Sequence, residues 1–135
     1  MGRAQVILVD THVVVWLAFD QKQISTRARA AIGEARKNAD GLAICDITLL
    51  ELATLASKGR IRLDVGLESF LKEVESRFVV LPISGSACVR AMGLPAGYPK
   101  DPADRMIGAT ALVEGLSLLT ADRAIRRARV VQTIW

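Results

Sequence analysis

Five short apolar runs, Val6 to Val9, Leu42 to Cys45, Phe78 to Leu81, Leu116 to Leu119 and Val130 to Ile134, lack any polar alternation. A strand with water on one face alternates apolar and polar residues. A run without that alternation is covered on both faces, as in a parallel sheet flanked by helices. The stretches between the runs carry helical signals. Arg27 to Lys37 is rich in Ala, Arg and Glu after Ser25 and Thr26, either of which can cap it. Asp46 stands where it can cap a helix that runs to Lys58 and stops at Gly59. From Asp64 onward Leu67, Phe70, Leu71 and Val74 recur at i, i+3, i+4 and i+7, an amphipathic stripe for packing. Gly93 to Pro102 holds three prolines and two glycines, which predicts a loop, with Pro102 opening a helix that ends near Gly115. A short basic helix, Asp122 to Ala128, precedes the last run. The expected class is α/β, a central twisted parallel sheet of about five strands flanked by helices. With 135 residues, 51% of them hydrophobic, the chain suits one domain over residues 1–135.

In open parallel sheets the binding crevice lies beyond the carboxyl ends of the strands. Asp10 directly follows Val6 to Val9, and Asp122 follows Leu116 to Leu119 after Thr120 and Ala121. Glu51 and Asp104 fall in the first turns of helices that start from the same edge. Glu51 is the more telling of these two, because Leu49, Leu50, Leu52 and Leu55 surround it, and an acid amid leucines calls for a counter-charge or a metal. Four carboxylates on one edge repel one another unless a cation neutralises them. Hard oxygen donors without Cys or His select Mg²⁺, with Mn²⁺ as a substitute. Such a site activates water toward a phosphodiester, so metal-assisted phosphodiester hydrolysis is the expected chemistry.

The segments Ile7-Leu-Val-Asp10-Thr-His12 with Trp16-Leu17, Ile47-Thr-Leu-Leu-Glu51-Leu, Asp101-Pro-Ala-Asp104-Arg105-Met-Ile-Gly-Ala-Thr-Ala111 and Leu118-Leu-Thr-Ala-Asp122-Arg123 together resemble, in order and spacing, a VapC-type PIN domain. The resemblance implies a Mg²⁺-dependent endoribonuclease, the toxin of a type II VapBC toxin–antitoxin system, with Asp10, Glu51, Asp104 and Asp122 as its acidic pocket. It also implies RNA as substrate, a homodimer, and a cognate VapB antitoxin that inserts a C-terminal segment near the pocket. Asp46 stands where many relatives carry Ser. Asp101 reads as a cap before Pro102 rather than a ligand.

Each sharp reading has a plainer one beside it. Singly, Asp10, Asp104 and Asp122 read equally well as helix caps, while jointly the metal reading wins; Glu51, flanked by leucines, reads less readily as an exposed residue of an amphipathic helix. His12 reads as a hydrogen-bond partner more readily than as a ligand or acid–base group. Thr11 and Thr120 can fix carboxylates or water, or simply cap backbone. Arg105, Arg123, Arg126, Arg127 and Arg129 can hold RNA phosphates or form a solvated basic face, and Arg105 can pair with a carboxylate instead. Trp16 and Trp135 read as packing residues rather than stacking platforms. The excess of 18 Lys and Arg over 14 Asp and Glu favours a polyanionic partner.

Other classes lack their residues. A haloacid-dehalogenase-type phosphatase needs Asp at position 12, where His12 stands. A receiver domain needs adjacent acids after the first strand, and no GxGxxG fingerprint exists. A catalytically inactive RNA- or protein-binding PIN-like module is the alternative within the same family. Cys45 and Cys88, each among apolar neighbours, read as buried thiols of a reducing compartment. Asp10 and His12 interrupt the first apolar stretch, so neither a signal peptide nor a membrane span is expected, and the expected location is cytoplasmic.

Overall fold

The computed structural model describes residues 6–37 and 41–135. Its strands are β1 (Ile7–Val9), β2 (Leu42–Cys45), β3 (Val79–Leu81), β4 (Ser117–Leu119) and β5 (Thr133–Ile134). Its helices are α1 (Thr11–Phe19), α2 (Thr26–Ala35), α3 (Ile47–Ser57), α4 (Leu67–Arg77), α5 (Gly85–Met92), α6 (Pro102–Glu114) and α7 (Arg123–Ala128). The strands form one all-parallel sheet in the order β3-β2-β1-β4-β5, so the expected α/β class holds.

Each inner strand serves two cores. Ile7 and Val9 pack with Leu42, Ile44, Val13, Val14, Ile32 and Leu52 on one face. Leu8 packs with Ala43, Cys45, Leu118, Tyr98, Ile107 and Ile125 on the other. That double burial is why the strands carry no polar alternation. Removing one such side chain, as in Leu8→Ala, costs about 2 to 5 kcal/mol.

Local chemistry sets most helix ends. Ser25, not Thr26, caps α2, accepting the Ala28 N–H at 3.1 Å. Asp101 caps α6 through the Asp104 N–H at 3.0 Å, Pro102 occupies the first turn, and Gly115 ends the helix at φ 69°. Asp46 departs from expectation. Its backbone is already helical and its side chain makes no cap bond. Instead its carboxylate accepts the Ile83 N–H at 3.2 Å, tying the end of β2 to the chain after β3. The sequence reading gives α1 no bounds beyond Asp10 as a possible cap, and assigns no element to α5. Asp10 starts α1 by accepting the Thr11 N–H, and Ser84 starts α5 by accepting the Ala87 N–H. The amphipathic helix begins at Leu67 rather than Asp64, and the last strand shrinks to Thr133–Ile134. Arg129 takes a left-handed turn at φ 53° after α7, so the residues that follow serve the return to the sheet. No described helix is long and apolar enough to cross a membrane.

Candidate active site

β2 and β3 are laid on one side of β1, whereas β4 and β5 are laid on the other. The order therefore reverses at the β1–β4 pair, and connections leave these two strand ends in opposite directions, opening a crevice. Asp10 is the first residue beyond β1, and Asp122 is the N-cap of α7 beyond β4. Glu51 lies one turn into α3, and Asp104 lies in the first turn of α6.

Asp10 is only 3% exposed. One carboxylate oxygen accepts the Thr11 N–H at 2.9 Å, and the other accepts the Thr120 hydroxyl at 2.8 Å. The Thr120 hydroxyl in turn accepts the Asp122 N–H at 3.1 Å. Asp122 uses Oδ1 to cap α7, accepting the Ile125 N–H at 3.0 Å. Both acids thus act as caps, and capping occupies only part of each carboxylate.

Glu51 accepts a hydrogen bond from the Thr11 hydroxyl at 2.5 Å, and that hydroxyl also lies 2.9 Å from the Thr48 hydroxyl. A hydroxyl has one proton to give. Thr11 gives its proton to Glu51, so Thr48 donates to Thr11, and a directed chain runs from Thr48 through Thr11 to Glu51. Thr48 is wholly buried, and the sequence reading passes over it. The available signal was its place three residues before Glu51, on the same helix face. Burial raises the Glu51 pKa, the Thr11 bond opposes this, and Asp10 and Asp101 add to the rise.

Asp104 is half-buried, and its carboxyl is pushed up to about 7 by burial and by the carboxylates of Asp10, Asp101, Asp122 and Glu51. All five influences act in the same direction, so the four expected acids, and Asp101 with them, share one electrostatic field. Tyr98 packs in the core beneath α6. Its ring is 1% exposed, and its hydroxyl donates to the Asp104 carbonyl oxygen at 3.4 Å. Burial, with Asp10, Asp104 and Asp122, pushes its phenol up. A Cβ at position 108 would meet the Tyr98 hydroxyl oxygen at 2.2 Å, which is why Gly108 stands there.

Arg105 corrects one of its two sequence readings, since it pairs with no carboxylate among the described residues. Its guanidinium donates to the carbonyl oxygens of Ala91, Leu94 and Tyr98, each at 3.3 Å. It ties α6 to the end of α5 and to the Gly93 to Pro102 loop rather than meeting a carboxylate. Arg123, Arg126, Arg127 and Arg129 are exposed, and none forms an ion pair among the described residues. Trp16 packs between His12 and Trp135, with ring centroids 5.0 and 5.7 Å away. Beside the acids lies a cleft of about 450 Å³ lined by Thr11, Glu51, Lys58, Arg60, Asp101 and Pro102 among others. Lys58 and Arg60, at its rim, are cations the sequence reading does not single out. A larger hollow of about 600 Å³, between α1 and α4, includes Phe70, Glu73 and Arg77 but none of the acids Asp10, Glu51, Asp104 and Asp122.

The donors at the site are carboxylate and hydroxyl oxygens with His12 alone beside them, since Cys45 is buried in a core and Cys88, expected to be buried, is instead exposed on α5. Among the described residues no three His, Cys, Asp or Glu side chains stand close enough to enclose an ion by themselves. Mg²⁺ needs no such cage, because it keeps several waters and takes one or two carboxylates directly. A divalent ion would also relieve the repulsion that lifts the Asp104 pKa. The residues therefore fit Mg²⁺ or Mn²⁺.

The PIN domain family matches residues 7–131. The chain is 37% identical to Ribonuclease VapC22 of Mycobacterium tuberculosis over 131 residues, covering 96% of this chain and 98% of that protein. In structure it is similar to a DNA-bound VapBC of Salmonella typhimurium, at 25% identity over 96% of each chain with a TM-score of 0.70. It is also similar to VapBC2 of Rickettsia felis bound to a promoter DNA fragment, at 20% identity over 96% of this chain and 97% of that one with a TM-score of 0.72. The latter likeness shows the fold alone.

Proposed function

The chain belongs to the PIN-domain family, and from that premise we propose that it is a Mg²⁺-dependent endoribonuclease, the toxin of a VapBC toxin–antitoxin pair. One observation supports the reading: Asp10 directly follows β1, Asp122 caps α7 after β4, Glu51 lies one turn into α3 and Asp104 in the first turn of α6, with the Asp104 carboxyl pushed up by burial and by Asp10, Asp101, Asp122 and Glu51. Asp10, Asp104 and Asp122 would hold the ion, one or two of them directly and the rest through its waters, and Glu51 would hold the ion or orient the attacking water. A bound Mg²⁺ supplies a more acidic water and offsets charge on the leaving oxygen. Thr11 and Thr48 keep Glu51 turned toward the crevice, and Thr120 keeps Asp10 and Asp122 together. Lys58, Arg60, Arg123, Arg126 and Arg127 would hold phosphates of an RNA strand.

A VapB-type antitoxin as partner is supported by the names of the similar proteins. Homodimerisation is supported by exposed apolar side chains on α5, Val89 at 75% and Met92 at 81%. A cytoplasmic location follows from the proposed RNA substrate. The decisive experiment incubates antitoxin-free protein with a mixed cellular RNA pool in Mg²⁺, Mn²⁺ or excess EDTA, beside Asp10→Asn, and sequences the cut ends. Discrete cleavage that needs metal and disappears in the variant is expected. RNA binding without cleavage under every condition would instead establish an inactive binding module.

A further inference from the structure

His12 is the only histidine of the chain, and the mechanism above does not use it. It is the second residue of α1, two positions after Asp10, and its ring crosses from α1 to the loop that carries Asp122. Nε2 accepts the Ala121 N–H at 3.0 Å. The backbone N–H groups of that loop are then fully accounted for: Thr120 donates to the Ile134 carbonyl at 3.2 Å, Ala121 to His12, and Asp122 to the Thr120 hydroxyl. His12 is thus the only one of these three acceptors that comes from α1. A neutral imidazole that accepts at Nε2 carries its proton on Nδ1. Nδ1 lies 3.6 Å from the Asp10 carboxylate, too far for a hydrogen bond but close enough for the N–H dipole to favour that orientation. Trp16 meets the ring edge-on at an interplanar angle of 70° and restrains its rotation.

We propose that His12 is a positioning residue which, as the neutral Nδ1–H tautomer, latches the Thr120–Asp122 loop to the Asp10 end of β1 and sets the Asp10–Asp122 spacing for a divalent ion. The second half of this inference rests on the metal-dependent reading above. The first half does not.

Because there is one histidine, ¹⁵N-detected imidazole spectra of the labelled, metal-free protein report it without ambiguity. In the neutral ring that accepts the Ala121 N–H at Nε2, the protonated nitrogen is expected to be Nδ1. A proton on Nε2 would overturn the latch, since that nitrogen would then donate and could not accept from Ala121. The spacing is tested by Mn²⁺ binding, read from loss of the free-ion electron paramagnetic resonance signal. His12→Leu removes the acceptor and is expected to weaken Mn²⁺ about 10- to 100-fold, the usual effect of losing a group that orients metal ligands. His12→Gln offers an amide oxygen at similar reach and is expected to bind close to the unaltered protein. Unchanged affinity in His12→Leu, or a His12→Gln as weak as His12→Leu, would overturn the proposal. Should His12→Leu not fold, the tautomer and His12→Gln still decide. An unaltered protein that binds no Mn²⁺ would count against the nuclease reading, while an Nδ1–H tautomer would still support the latch.

Discussion

Asp104→Asn keeps the shape of the side chain and removes its charge. In the metal-free protein, burial and the neighbouring acids hold Asp104 at about 7 against an ordinary 3.8. The folded chain therefore binds this proton more tightly than the unfolded chain. The contribution to stability is full below 3.8, declines as pH rises, and is gone once pH passes about 7. At about 1.4 kcal/mol per pH unit, the whole rise is worth roughly 4 kcal/mol, and water around a half-buried group reduces this to about 2 kcal/mol. Asn does not titrate and escapes the loss. In EDTA at about pH 8, Asp104→Asn should therefore melt roughly 6 to 10 °C above the unaltered protein. At about pH 5 the gain should shrink to roughly a third. Mg²⁺ at pH 8 should close the gap by stabilising only the chain with the full acid set. Differential scanning calorimetry at both pH values reads all three effects. A variant no more stable at pH 8, or equally stabilised at both pH values, would mean that the acids do not share one field.

Gly108→Ala should destabilise the fold by about 1 to 3 kcal/mol in urea titration, because its Cβ would overlap the Tyr98 hydroxyl; adding Tyr98→Phe should recover part of the loss. Arg105→Met should cost on the order of 3 kcal/mol by loss of charged bonds to three carbonyls, with amide exchange accelerated first between Gly93 and Pro102. Asp122 separates its two roles by substitution. Asn caps α7 as well as Asp does, whereas Ala loses about 1 kcal/mol, yet both variants should lose RNA cleavage, and an active Asp122→Asn would reduce this residue to a cap.

The strands were legible because a doubly covered strand must be apolar on both faces, and five such runs stood between helix signals. Asp101, Pro102 and Gly115 announced α6 for an equally local reason: a cap, a fixed φ and a positive φ are properties of single residues. The acids were legible because their spacing from strand ends and helix starts fixes which edge they occupy. Hydrogen-bond partners were not legible. Whether Asp46 caps its own helix or holds Ile83, and whether Arg105 meets a carboxylate or three carbonyls, is a competition among groups brought together only by folding. α1 showed only its possible cap because Val13, Val14 and Val15 are indifferent helix formers, and its start depends on Asp10, which also holds Thr120 from 110 positions away. Sequence thus determined which residues reach the crevice, through short-range rules of backbone and burial. The tertiary structure decided what each of them does there, because a polar side chain commits to the partner that the sheet's long-range pairing sets beside it.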